Sequence, residues 1–155
     1  MCAPSYNGKK EAEEKMKRNS EINGILEERF GKDALIALAT AAEGIPQVRT
    51  VDAYYEDGAF YVVTHALSGK MQQIAKNPAV AVCGDWFTAS GEGVNLGAFD
   101  KTENAAMAEK LKQVFGAWLM NGHSDLHDPN TVILCIRLKT GVLMSHGRRY
   151  EIDFI

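Results

Sequence analysis

No CxxC pair occurs in these 155 residues, and the three cysteines, Cys2, Cys83 and Cys135, are odd in number and far apart. That spacing excludes a cysteine-built zinc site and a thioredoxin-type redox motif. Cys83 and Cys135 stand inside apolar runs and are expected to be buried, reduced thiols, which fits a cytoplasmic setting. Long hydrophobic runs are missing too: the stretch from Ala34 to Ala42 is far too short to cross a bilayer. The start, Met1-Cys2-Ala3-Pro4-Ser5, lacks a charged segment followed by an apolar one, so no secretory signal is expected. An excess of positive charge is also absent. Seventeen Lys and Arg against 20 Asp and Glu leave a net charge of −3, with no electrostatic call for nucleic acid or an anionic membrane. Neither a nucleophile elbow nor a Walker loop is present, and there is no internal repeat.

What is present reads as one domain with an N-terminal extension. A hydrophobic content of 46% is ordinary, and a chain of this length can bury a real core. Lys9 to Phe30 predicts an amphipathic helix with Ala12, Met16, Ile22, Ile25, Leu26 and Phe30 on one side, stopped by Gly31. Strands are expected at 34–41, 47–55 and 59–64, the last two joined through the hairpin signal Glu56-Asp57-Gly58. A short helix over 68–76 ends at Asn77-Pro78. Further strands are expected at 80–87 and 93–99, with a turn at Ala89-Ser90-Gly91-Glu92 between them. Asp100 and Glu103 match a capping box for the next helix, whose stripe holds Met107, Leu111, Val114, Phe115 and Trp118. Val132 to Leu138, Val142 to Ser145 and Tyr150 to Phe154 complete the strands. Hairpins this short cannot carry parallel crossovers, so the pattern predicts an antiparallel barrel or an α+β domain.

One stretch points to chemistry. Val63-Thr64-His65-Ala66-Leu67-Ser68-Gly69-Lys70 runs from a strand into a helix start, where backbone N–H groups lack partners. A small residue, a hydroxyl and a lysine there suit a phosphate or carboxylate. Arg49, on the strand 47–55, is either the second prong of a phosphate clamp with Lys70 or a solvated edge residue. His65 is either near a ligand or a turn residue. His123 and His127, with Asp125 and Asp128, have metal-like spacing but lie in a polar loop without helical periodicity, so no metal is expected. Trp86, at an expected strand end, is a better pocket wall than Trp118, which belongs to an apolar stripe.

The order of these elements resembles the FMN-binding split-barrel family that includes pyridoxamine 5'-phosphate oxidase. The carriers are Ile36-Ala37-Leu38-Ala39-Thr40, Pro46 to Val51, Asp57-Gly58-Ala59-Phe60-Tyr61, Thr64 through Lys70, and Asn77-Pro78 followed by Val80-Ala81-Val82. The resemblance implies a mainly β fold: a six-stranded antiparallel Greek-key split β-barrel with flanking α-helices, over 31–155, behind a helical extension of 1–30. It implies FMN as cofactor. Arg49, Ser68, Gly69 and Lys70 would hold its phosphate, and Thr50, Val51, Val63 and Thr64 would line its ring. It further implies a homodimer with the flavin at the subunit interface; in this sequence Trp86 and the Arg148-Arg149 segment are our candidates for what the second copy supplies.

Two departures sharpen the expectation. The oxidases carry arginine where this chain has Gly69, so one phosphate-directed charge is absent. Their C-terminal Trp-Gln-Gly and Arg-Leu-His-Asp-Arg-Phe pattern is matched only at Gly147, Arg149 and Phe154. The chain therefore resembles the general-stress and nitroimidazole-reductase-like branch more than the true oxidase. The function expected is an FMN-binding oxidoreductase, flavin reductase-like, acting on a small molecule with a nicotinamide donor. The alternative is a flavin- or haem-binding redox module without turnover, and a deazaflavin is a third ligand the sequence leaves open.

Overall fold

The computed structural model describes residues 6–154, so Cys2 lies outside the described residues. Seven strands form one antiparallel sheet: β1 (Ala34–Ala42), β2 (Ile45–Glu56), β3 (Ala59–His65), β4 (Ala79–Gly84), β5 (Phe87–Ala98), β6 (Thr131–Ser145) and β7 (Arg148–Asp153). Their order is β3-β2-β1-β4-β5-β6-β7, and β3 also pairs with β6. That pairing, from Ala59↔Arg137 to His65↔Thr131, closes six strands into a barrel, and β7 extends it as a hairpin on β6. Helix α1 (Tyr6–Phe30) precedes the barrel, and α2 (Gly69–Lys76) links β3 to β4. Helices α3 (Ala105–Val114) and α4 (Gly116–Leu119) lie between β5 and β6. The mainly β split barrel with flanking helices is therefore the fold.

Alternation along the strands sets what faces inward. On β1, Ile36, Leu38, Thr40 and Ala42 are buried while the residues between them are not. One core fills the barrel, where Phe30 meets Phe60 at 5.5 Å and Phe87 at 5.7 Å. Truncating a fully buried phenylalanine of this kind to alanine costs about 3–5 kcal/mol. A second core, built on Phe99, Leu111, Phe115 and Leu119, covers the opposite face of β3 and β6. Being covered on both faces, β6 is buried continuously from Val132 to Ile136 instead of alternating. Of the apolar stripe expected on α1, Ile22, Leu26 and Phe30 are buried, whereas Met16 is 72% exposed. The last two turns of α1 thus belong to the barrel core.

The turn Asp57-Gly58 forms where expected, with φ of 46° and 80°, the left-handed pair a tight antiparallel hairpin requires. Several expectations are corrected. The β4–β5 turn is Asp85-Trp86, and residues 89–92 lie within β5. Gly91 is there for close approach, not for turning: a Cβ on it would stand 2.0 Å from the Arg137 carbonyl oxygen, at a shift in strand register. Likewise 132–138 and 142–145 are one strand, β6, passing through Gly141. No capping box forms at Asp100 and Glu103. Instead the Asn104 amide donates to the Leu96 and Ala98 carbonyls at 3.0 and 2.9 Å. Cys135 is buried as expected, but Cys83 faces outward on β4 and is exposed.

Candidate phosphate-binding site

Helix α2 begins at Gly69 and turns Met71 and Ile74 into the end of the barrel. Ser68 occupies its N-cap position, with φ −64° and ψ 157°, yet its hydroxyl makes no capping bond. The Ser68 Oγ is buried and has no hydrogen-bond partner. An orphaned buried hydroxyl carries a desolvation penalty of about 1–3 kcal/mol until a partner arrives. Lys70 lies one residue inside the helix, half-buried, with its pKa lowered first by burial and then by the charge of Arg49.

Arg49 reaches the same place from β2. Its guanidinium donates to the Leu38 carbonyl at 3.3 Å and the Thr40 hydroxyl at 2.6 Å. It also donates to the Gln47 and Gln73 side-chain oxygens at 3.4 and 3.5 Å. Every one of these acceptors is neutral, and burial lowers the Arg49 pKa with no carboxylate opposing it. Two like charges therefore stand near a helix N-terminus and an unpartnered hydroxyl, and among the described residues no carboxylate pairs with either cation. Chemically, that combination suits an anion.

The barrel is split beside this cluster. Strand β2 pairs with β3 only through Tyr54, Tyr55 and Glu56. Residues 45–53 pair with β1 on one edge and, among the described residues, with no strand on the other. Thr50 is exposed on the outer face opposite Ala37, whereas the Val51 side chain is buried in the core. On β3, Phe60 and Val62 point into the barrel and Thr64 follows them on that row. Val63 points the other way, against the core beneath α3, so only its backbone is available to the Arg49 side. His65 braces its own turn: its Nδ1 accepts the Leu67 N–H at 3.2 Å, and its Nε2 lies 4.0 Å from Asp128 Oδ2.

Trp86 is separated from the cluster. It sits in the Asp85-Trp86 turn at φ 49°, with its side chain 71% exposed. Six residues of strand from Val80, beside Thr40, amount to roughly 20 Å. Arg148 and Arg149 share that far end, where the Met144 N–H donates to the Trp86 carbonyl at 2.9 Å. Sequence reasoning missed Thr40, Gln47 and Gln73 as the side chains that accept from Arg49. One signal was available: Thr40 is the only polar residue on the inward row of β1.

Comparison with known proteins adds a family to this geometry. No curated protein matches the sequence. Among solved structures, a NimC/NimA family protein from Clostridium acetobutylicum is 20% identical, with a TM-score of 0.63, over 84% of this chain and 93% of its own. A FAD-binding protein from Mesorhizobium loti is 17% identical, with a TM-score of 0.60, over 74% of this chain and 87% of its own. A heme-binding protein from Mycobacterium smegmatis is 14% identical, with a TM-score of 0.61, over 79% of this chain but 54% of its own. These likenesses establish the shared fold. The family described as pyridoxamine 5'-phosphate oxidase matches residues 23–144, most of the sequence, and the chain belongs to that family.

Proposed function

We propose that this protein binds FMN through the Arg49–Lys70 cluster and works as an oxidoreductase on a small molecule. The observation that carries the reading is the pair of cations beside the orphaned Ser68 hydroxyl, with no carboxylate to neutralise them. A phosphate monoester carries a charge of about −1.5 to −2 near neutral pH, which matches two cations at a helix N-terminus. It would also give Ser68 Oγ its missing donor role. Gly69 contributes a backbone N–H, and a Cβ there would meet nothing within 4 Å, so the approach is open.

In this reading the unpaired edge of β2, with Thr50 and the backbone of Val51, faces the ring system together with Thr64 and the backbone of Val63. Bound there, a flavin supplies hydride exchange at its N5. The chain's part is to fix the phosphate, orient the ring and exclude water. A second copy of the chain would cover the outer sheet face, where a concavity of about 660 Å³ is lined by small residues including Ala37, Ala39, Ala81 and Cys83. Val48 and Leu35, 70% and 64% exposed, extend that apolar surface. Because Trp86 and Arg148-Arg149 lie at the far end, their proposed role at the flavin is on the partner's site. No helix among the described residues is long and apolar enough to cross a membrane, and we place the protein in the cytoplasm.

The test is anaerobic reduction of the FMN-loaded protein by NADH and NADPH, followed by reoxidation with an added acceptor. Rapid reduction by one donor is expected. Slow reduction by both would favour a redox module without turnover.

A further inference from the structure

Gln73, on the second turn of α2, stands between the barrel and the helix that carries Lys70. Its side-chain oxygen faces Arg49 at 3.5 Å and also receives the Thr40 hydroxyl. An arginine can only donate, so the atom opposite it must be the amide oxygen, and the amide nitrogen is turned away. That nitrogen makes no hydrogen bond within the described residues and is not sealed from solvent. Gln73 lines a cavity of about 260 Å³ together with Gly69, Gln47 and Gln72, and with Glu43 and Lys76, which pair with each other at 3.6 Å. Its oxygen is thus fixed by Arg49 and Thr40, and its amide nitrogen is left as a spare donor on a residue that shares a cavity with Gly69.

We propose that Gln73 is a ligand-binding and specificity-determining residue, which holds Arg49 without neutralising it and offers its own Nε2–H to the phosphate group of the ligand. This rests on the reading of Arg49 and Lys70 as a phosphate site and says what gives that site its charge selectivity. A carboxylate would bind Arg49 more firmly than an amide does, because charge-assisted bonds are the stronger ones, but it would cancel the charge the ligand needs. The neutral bracket of Thr40, Gln47 and Gln73 keeps the full charge of both cations for a dianionic phosphate monoester. The same amide ties the arginine on β2 to the helix that carries Lys70.

The experiment compares wild type with Gln73→Glu and Gln73→Met. Affinities for FMN and for riboflavin, which lacks the phosphate, are measured by flavin fluorescence. Stabilisation by inorganic phosphate is measured by thermal unfolding. Gln73→Glu is expected to weaken FMN roughly ten- to hundred-fold while leaving riboflavin unchanged, and to abolish stabilisation by phosphate. The loss should shrink as pH falls and the new carboxyl is protonated. Gln73→Met, which removes the bracket without adding charge, should show a smaller loss confined to FMN. Equal FMN affinity in wild type and Gln73→Glu would overturn the proposal, as would equal losses for FMN and riboflavin, the mark of a merely structural role. If wild type takes no FMN but is stabilised by phosphate, and Gln73→Glu is not, the flavin reading fails and the role of Gln73 stands. A wild type that responds to neither ligand would overturn both.

Discussion

Replacing Lys70 with methionine should separate binding from stability and move them in opposite directions. In the free protein the ammonium is half-buried near Arg49, and both burial and that neighbour lower its pKa. Methionine keeps much of the side-chain volume and removes the charge, so the free protein should become more stable at neutral pH. The bound state loses one charge-assisted hydrogen bond, about 1.5–3 kcal/mol, which is a roughly ten- to hundred-fold rise in Kd for FMN. Riboflavin affinity should not change, since it has no phosphate to lose.

The pH dependence has a definite sign. Between the lowered folded pKa of Lys70 and the ordinary lysine value, the unfolded chain binds more protons at this position than the folded one. Stability from this group therefore rises with pH through that window, while FMN affinity falls across it. Both trends should disappear in Lys70→Met. Fluorescence titration with the two flavins, alongside thermal unfolding of the free protein from neutral to alkaline pH, checks the whole set. Unchanged FMN affinity, or an equal loss for riboflavin, would refute the assignment of Lys70 to the phosphate.

Further outcomes follow from the same geometry. Gly69→Arg should be tolerated, because a Cβ there meets nothing within 4 Å, and should tighten FMN roughly several-fold by adding a third cation, read in the same titration. Arg49→Met should weaken FMN by about 1.5–3 kcal/mol and also destabilise the free protein, since Thr40 and the Leu38 carbonyl lose their donor; chemical denaturation reports the second effect. Gly91→Ala should destabilise the fold by about 1–3 kcal/mol or more in urea denaturation, because its Cβ would collide with the Arg137 carbonyl oxygen, and should leave FMN affinity of the folded fraction intact.

Much of the fold was legible because its signals are local. The strand at 34–41, the Asp57-Gly58 turn and the helix start after Ser68 each involve a few adjacent residues, and all three form as read. Glycine misled where its reason was distant. Gly91 resembles a turn residue, but what demands it is a backbone on β6 that lies 46 positions away in sequence, at Arg137. Cys83 looked buried because Ala79-Val80-Ala81-Val82-Cys83 is uniformly apolar, whereas only Val80 and Val82 face the core. At the site, Arg49, Ser68 and Lys70 were readable from residue type and from the resemblance. The bracket was not: Thr40 and Gln73 are 33 residues apart and meet only because α2 crosses the end of the barrel.

The central claim is that the cation cluster at the start of α2 holds the phosphate of a flavin, and the absorbance spectrum of the protein as purified tests it most directly. Flavin bands that change shape on denaturation, with FMN as the released chromophore, are the predicted result. A Soret band, or a colourless protein that takes up no FMN on titration, would contradict it.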